Sequence, residues 1–357
     1  MRTVRTTLAI LSLLAVTVAA SASFTLQPLT TFGGGDGWLA PGDRPYLTTD
    51  NTQRGIAYNP LSNRVYLVNR AGGLSVRILD GDTGDDLGTL DVTGITGGTF
   101  ALSAIGVGAD GAIYAANLTT ASGTSPLKVY RWADESAAPT LAYSGNPVAT
   151  SARFGDSLAV RGSGANTQIV LGAGSSPAGF NAYTVLTSTD GVNYAAGYVS
   201  ITGPANGAFR LGVDFGAGNT VFGKQTGSAS NVEGTSFDLG TLTGARLVGS
   251  PYTATTAGEA LLAVEPNYGL LATTDINSGN VRLYDINDLA ASGLTFLHEA
   301  VFPGTRNPNT NGTGQMDWGN NRLYVLDTNN GIRVYELIPE PAAIALLALG
   351  VLALRRR

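Results

Sequence analysis

Ile56-Ala57-Tyr58, followed after a short polar turn by Arg64-Val65-Tyr66-Leu67, decides the fold, because its pattern returns five more times. Two hydrophobics flanking a small or polar residue recur as Ile105-Gly106-Val107, Leu158-Ala159-Val160, Leu211-Gly212-Val213, Leu262-Ala263-Val264 and Met316-Asp317-Trp318. The steps between third positions are 49, 53, 53, 51 and 54 residues. Second strands follow at Ala112-Ile113-Tyr114-Ala115, Gln168-Ile169-Val170-Leu171, Thr220-Val221-Phe222, Gly269-Leu270-Leu271-Ala272 and Arg322-Leu323-Tyr324-Val325. Third strands are clearest at Ser75 to Leu79, Leu127 to Trp132, Val281 to Ile286 and Ile332 to Leu337. Short apolar runs bounded by Gly, Pro, Asn and Asp read as strands. Four of them every fifty or so residues describe a blade, so the expected fold class is all-β, a β-propeller of six four-stranded blades. A sandwich would not repeat at this period, and β-helix coils are far shorter.

The sixth repeat ends at Leu337 after its third strand. Phe24 to Phe32 is a strand without a repeat of its own, and Pro28 suits an outer edge. It is expected to supply the fourth strand of the last blade, removing an exposed edge. The chain contains no cysteine, so disulfides and thiolate metal sites are excluded, and its single histidine, His298, excludes imidazole-rich ones. His298 falls in an outer, fourth-strand segment, where it reads as a satisfied surface residue. Forty-eight glycines and fifteen prolines, scattered without a strict period, mark frequent turns.

Both ends stand outside this grammar. Arg2 and Arg5 precede an apolar run from Leu8 to Val18, and Ala20-Ser21-Ala22 offers the small residues that signal peptidase needs. Residues 1–22 are expected to be a signal peptide and the mature chain exported. At the other end Pro339-Glu340-Pro341 leads into thirteen apolar or glycine residues, Ala342 to Leu354, and then Arg355-Arg356-Arg357. As a helix those thirteen reach about 20 Å against a hydrocarbon core of roughly 30 Å, so they lodge in a bilayer without spanning it well. This order of parts resembles the PEP-CTERM sorting signal of Gram-negative bacteria, over residues 338–357 alone. The resemblance implies processing near Pro339-Glu340-Pro341 by an exosortase-type membrane protease, transient anchoring in the inner membrane through the C-terminal helix, and delivery to the cell surface or extracellular matrix. The body, residues 23–338, resembles uncharacterised exported bacterial propeller domains, and residues 339–357 form the tail. Stripped of both ends, the body holds 16 basic against 25 acidic residues and no basic stripe, so nucleic acid is not an expected partner.

In a propeller, the loops between second and third strands and those leading into the first strands share one face. Asn69, Asn117, Gln225, Thr274 and Asp327 lie just past the second strands, with Ala173 the exception. Arg54, Ser103, Asp156, Arg210, Glu259 and Gln315 lie at the starts of the first strands, with Arg153 nearby. A ring of amides, carboxylates and arginines suits a hydroxyl-rich ligand. The expected function is therefore a binding or structural component of the extracellular polysaccharide matrix, with Asn69, Asn117, Gln225, Thr274, Asp327, Arg54 and Arg210 as the ligand face. A protein-interaction scaffold, or a carbohydrate-active hydrolase or lyase using carboxylates such as Asp156 and Glu259, is the alternative. No catalytic residue is assigned, and no cofactor or metal is expected. Asp80-Gly81-Asp82-Thr83-Gly84-Asp85-Asp86 has calcium-like spacing but lacks a glutamate at the twelfth position, and Ser188-Thr189-Asp190-Gly191 has an Asp-box look; both read as hairpin turns.

Overall fold

The structure, a computed structural model, describes residues 23–174, 180–225, 231–256, 258–304, 307 and 309–340. It is all-β and propeller-like. Four sheets each hold one blade. The first comprises Gln53–Asn59, Arg64–Asn69, Ser75–Asp80 and Asp86–Thr89, and the second Phe100–Val107, Ile113–Leu118, Leu127–Trp132 and Thr140–Gly145. Another comprises Glu259–Glu265, Leu270–Asp275, Val281–Asp285 and Thr295–Ala300. In the last blade, Gly314–Gly319, Arg322–Asp327 and Gly331–Pro339 are joined by the N-terminal strands Phe24–Pro28 and Trp38–Leu39.

The expectation of six separate blades is corrected by the fifth sheet, which has eight strands. Ala159–Arg161, Gln168–Gly172, Tyr183–Ser188 and Tyr194–Ile201 run on into Thr243–Arg246, Glu233–Asp238, Thr220–Lys224 and Gly212–Phe215. The join is a short parallel ladder, Ser200 opposite Thr243 and Ile201 opposite Gly244. Two outer strands that each had an unpaired edge satisfy their backbone groups on one another. The first strands touch in cyclic order, from Gln53–Asn59 through Phe100–Val107, Ala159–Arg161, Gly212–Phe215, Glu259–Glu265 and Gly314–Gly319 back to the start.

Burial explains why the repeat was legible. Gln53–Asn59 is buried at every position, and Asp86–Thr89 is exposed at every position. An inner strand covered on both faces favours an apolar centre, here Ile56-Ala57-Tyr58, whereas the rim tolerates polar residues. The space between neighbouring sheets is filled by side chains from both, as where Tyr66, Val68 and Val76 meet Leu102, Ile105 and Trp132. First and last blades meet through stacked Tyr58 and Tyr324, ring centres 4.4 Å apart.

The N-terminal closure has the form expected, with one addition. Leu29 N–H donates to Val334 O at 2.9 Å, and the chain then doubles back so that Trp38 and Leu39 pair with Arg333 and Ile332 on the same open edge. Gly33, at φ 65, permits the reversal, since a Cβ there would run into the Trp38 backbone. His298 Nδ1 accepts from Leu26 N–H at 3.3 Å, so the histidine helps to seat the closing strand.

The expected signal peptide and most of the expected sorting motif, Pro341 and Arg355-Arg356-Arg357 included, lie outside the described residues. Pro339 ends an extended strand. The expected C-terminal apolar helix also lies outside them; the α-helix described is the single turn Leu289–Ser292. Among the described residues no helix is long and apolar enough to cross a membrane. The Asp80 to Asp86 segment is a hairpin turn. Asp80 Oδ1 accepts from the Asp82 and Thr83 N–H groups, and Asp82 pairs with Arg322. No group of three or more His, Cys, Asp or Glu among the described residues could hold a metal ion. In the Ser188 to Gly191 turn, Asp190 accepts from Val192 and Asn193, and these hydrogen bonds hold its carboxyl well below the usual range.

Candidate functional site

The ring of polar residues read from the repeats converges on one side, but it is interior. Asn69, Asn117, Thr274, Asp327, Arg54 and Arg210 are all buried, and Gln225 is half-buried. Asn69 accepts from Ala71 N–H at 3.0 Å and donates to Ala71 O and Ser75 Oγ, each at 3.2 Å. Asn117 accepts from Lys128 N–H at 2.9 Å and donates to Pro126 O at 3.1 Å. These amides are spent on their own loops. A sugar hydroxyl would have to displace these bonds to reach either amide.

The charged residues of this side form two buried groups. Arg153 grips Asp156 with two bonds of 2.5 and 2.6 Å, and Arg210 approaches the same carboxylate at 3.7 Å. In the second group Glu259, fully buried, accepts from Tyr284 OH at 2.6 Å and Thr273 Oγ1 at 2.9 Å, while Arg282 reaches both Glu259 and Asp275. Lys224 is buried beside them, and desolvation lowers its ammonium to about 8 despite the nearby Glu259 and Asp275 charges. Sequence reading had placed Glu259 and Asp156 at strand starts but passed over Lys224, Asp275 and Arg282, which sit within ordinary strand runs. Gln315 closes the axial passage below, donating to Ile105 O at 2.5 Å and Leu158 O at 3.2 Å while accepting from Ile105 N–H at 3.2 Å.

Toward the opposite end of the inner strands lies a constellation that sequence reading missed. Asp317 pairs across its hairpin with Tyr324, and Asp214 pairs with Phe222. Tyr324, Phe222, Tyr66, Tyr114 and Val170 occupy one position of the second strands, and opposite the last three stand Ala57, Gly106 and Ala159. The pairing therefore makes Val213-Asp214-Phe215, two residues beyond the apolar triplet Leu211-Gly212-Val213, the equivalent of the other triplets. With the register corrected, Asp214 and Asp317 stand at equivalent points of two inner strands that flank Glu259–Glu265, among small residues elsewhere. Both line a small axial cavity and an adjoining pocket of about 720 Å³, whose walls include Trp318, Tyr268, Arg161 and Asn267. The pocket rim is shaped by the two-residue turn Asn320-Asn321, both at positive φ as such hairpins require.

Each carboxylate is held rigidly. Asp317 accepts from Tyr58 N–H at 2.8 Å and Trp318 N–H at 2.9 Å, and Asp214 from Val264 N–H and Phe215 N–H, each at 2.7 Å. The Tyr58 and Val264 bonds also tie each strand to the next inner strand. Desolvation pushes both carboxyls up to about 7, outweighing these N–H groups, and the Asp214 charge adds to the rise at Asp317. A carboxyl raised in this way contributes stability that is present in full below its ordinary value of 3.8 and is lost as the pH rises through about 7. The melting temperature is therefore expected to fall between pH 5 and pH 8, and Asp317→Asn, which cannot ionise, should flatten that fall. A variant keeping the full wild-type slope in a pH series of thermal melts would refute the assignment.

A family model, the domain of unknown function DUF4623, matches residues 60–213. No curated protein matches. Among solved structures, a DUF4623 family protein from Bacteroides eggerthii is similar with a TM-score of 0.55 at 15% identity, over 82% of this chain and 72% of that one. Kuenenia stuttgartiensis hydrazine synthase gives 0.50 at 13%, over 83% and 97%. A gluconolactonase from Xanthomonas campestris gives 0.49 at 15%, over 84% and 91%. At these identities the likeness concerns the fold. The expected role as an exosortase-sorted, polysaccharide-binding matrix component is corrected on the ring itself, where Asn69 and Asn117 are internal and bonded to their own loops.

Proposed function

We propose that the chain is an exported hydrolase acting on a carbohydrate-derived ester or glycoside, with Asp214 and Asp317 as its acid and base. The supporting observation is the pair of carboxylates at equivalent points of two inner strands, opening together onto a pocket of about 720 Å³. That volume suits a small-molecule substrate. The likeness to a gluconolactonase does not carry this reading; the pocket does. In the same reading the eight-stranded sheet counts as two blades fused at their outer edges, so that the ring has six, and export rests on the signal-peptide pattern of Arg2, Arg5, Leu8 to Val18 and Ala20-Ser21-Ala22.

Carboxyls that sense each other's charge do not ionise independently, so the pair passes through a state holding one proton. Values near 7 place that state at neutral pH, where one member accepts a proton and the other donates one. The ionised member draws a proton from water as its oxygen bonds to the electrophilic carbon. The protonated member delivers its proton to the leaving oxygen as the carbon–oxygen bond breaks. One proton has been taken and one given, so the pair ends with its proton exchanged between members. Each Asp oxygen already bonded to a backbone N–H keeps a second lone pair for this traffic. Trp318 and Tyr268 offer flat faces for a sugar ring, and Arg161, stacked 4.2 Å over Phe215, places positive charge beside Asp214.

The test is turnover of a panel of sugar lactones and aryl glycosides by wild type, Asp214→Asn and Asp317→Asn. Each variant is expected to lose about 10²- to 10⁴-fold in kcat while remaining folded. Wild-type activity retained by both variants would remove the pair from the chemistry, and wild type inert on every lactone and glycoside would sink the hydrolase reading.

A further inference from the structure

The arginine group at the start of the inner strands holds more positive charge than its described partners neutralise. Arg153 and Arg210 share the single carboxylate Asp156. Arg54 is 9% exposed, and its Nε and Nη1 find no hydrogen-bond partner among the described residues. Arg70 donates through Nη2 to Asn51 O at 2.7 Å, but its Nη1 has no partner. Both guanidiniums lie over the Phe100 ring, at 5.1 and 3.7 Å from its centre. The ring face eases two like charges without supplying a hydrogen-bond acceptor. Arg54 feels Asp156 but also Arg153 and Arg210, so the one carboxylate serves several cations. Burial lowers Arg70 to about 10, with the Arg54 charge contributing.

Glycines leave room for the guanidinium heads. Gly312 lies against the Arg54 head, where a Cβ would collide with Nη1, and Gly174 packs between the Arg153 and Arg210 side chains. A buried guanidinium with unspent donors is unfavourable until an acceptor completes it. Guanidinium donors match the oxygens of phosphate and carboxylate groups.

We infer that Arg54, Arg70, Arg153 and Arg210 form a binding site for a small oxyanion, a phosphate or carboxylate group, at the end of the inner strands remote from Asp214 and Asp317. Gln315, bridging Ile105 and Leu158, lies between the two sites along the inner strands. The inference does not rest on the hydrolase reading.

Titration calorimetry at constant ionic strength tests it, using the full chain with inorganic phosphate, glucuronate, neutral glucose and chloride as probes. Saturable binding of phosphate or glucuronate, with none of glucose or chloride, is expected, and Arg54→Met should weaken it at least about tenfold. Arg64→Met, removing a peripheral arginine paired to Asp80, should leave it unchanged. Should Arg54→Met not fold, Arg70→Gln replaces it with the same expectation. Response to phosphate alone identifies a phosphate ester as the ligand class, response to glucuronate alone a sugar acid, and response to both a general oxyanion site. No binding of either, or binding that Arg54→Met and Arg70→Gln leave intact, overturns the inference.

Discussion

Deleting residues 24–32 should unfold the entire ring at ordinary temperature, an effect out of proportion to nine residues. Leu26, Leu29 and Phe32 are all buried, and Phe32 joins the cluster in which Tyr58 and Leu67 of the first blade pack against Tyr324 and Val334 of the last. Burying each such side chain stabilises by about 1.5–3 kcal/mol, so three contribute roughly 5–9 kcal/mol. A whole domain commonly retains only about 5–15 kcal/mol. The deletion also bares the edge at Val334, which now accepts from Leu29 N–H. A ring has no independent half: once the joint opens, first and last blades both lose a packed face. Leu26→Pro tests the same joint more gently, by removing the amide that donates to His298. Thermal and denaturant melts decide the matter, and a deleted protein that melts like wild type would show that the closing strand is dispensable.

Glu259→Ala should cost about 3–5 kcal/mol, the range for breaking a buried charge network by removing one partner. Glu259 is the shared acceptor of Tyr284, Thr273 and Arg282, and Lys224 lies near enough to feel its charge. Removing it strands the Thr273 hydroxyl, leaves Tyr284 with Thr255, and leaves Arg282 with Asp275 and the rim residue Glu299. For a domain of this size, that corresponds to a melting temperature lower by about 4–8 °C. Glu259→Gln keeps the shape and one acceptor oxygen, so its loss should be smaller. A change below about 1 kcal/mol for the alanine variant in chemical denaturation would mean that the network is not the anchor its geometry describes.

Sequence alone determined the strand grammar and the need for closure. Inner strands are mostly apolar at their centres and the turns are rich in Gly, Asn and Asp, so the fifty-residue period survives in the linear order. Ile56-Ala57-Tyr58 and its copies announce it, and the missing strand after Leu337 announces the partner that Phe24–Pro28 supplies. Local rules could also expect Asn69 and Asn117 near one face, yet they could not tell a solvent-facing ring from an internal one, because burial depends on what the next blade covers. Nor could they show that Ser200 and Thr243 would meet and fuse two edges, since that contact joins strands forty residues apart.

The candidate site was hidden for the same reason. Asp214 lies two residues beyond the centre of the apolar triplet Leu211-Gly212-Val213, an offset that only the pairing with Phe222 reveals. Asp317 was visible as an odd member of its triplet, but a lone aspartate in a strand names no partner. Tertiary structure alone brought the two to equivalent points from one hundred residues apart and opened a pocket beside them. It also desolvated them until their protons became exchangeable near neutrality. Spacing along the chain fixes backbone geometry over a few residues, whereas acid–base chemistry depends on the dielectric and the charges that distant strands bring to a single point.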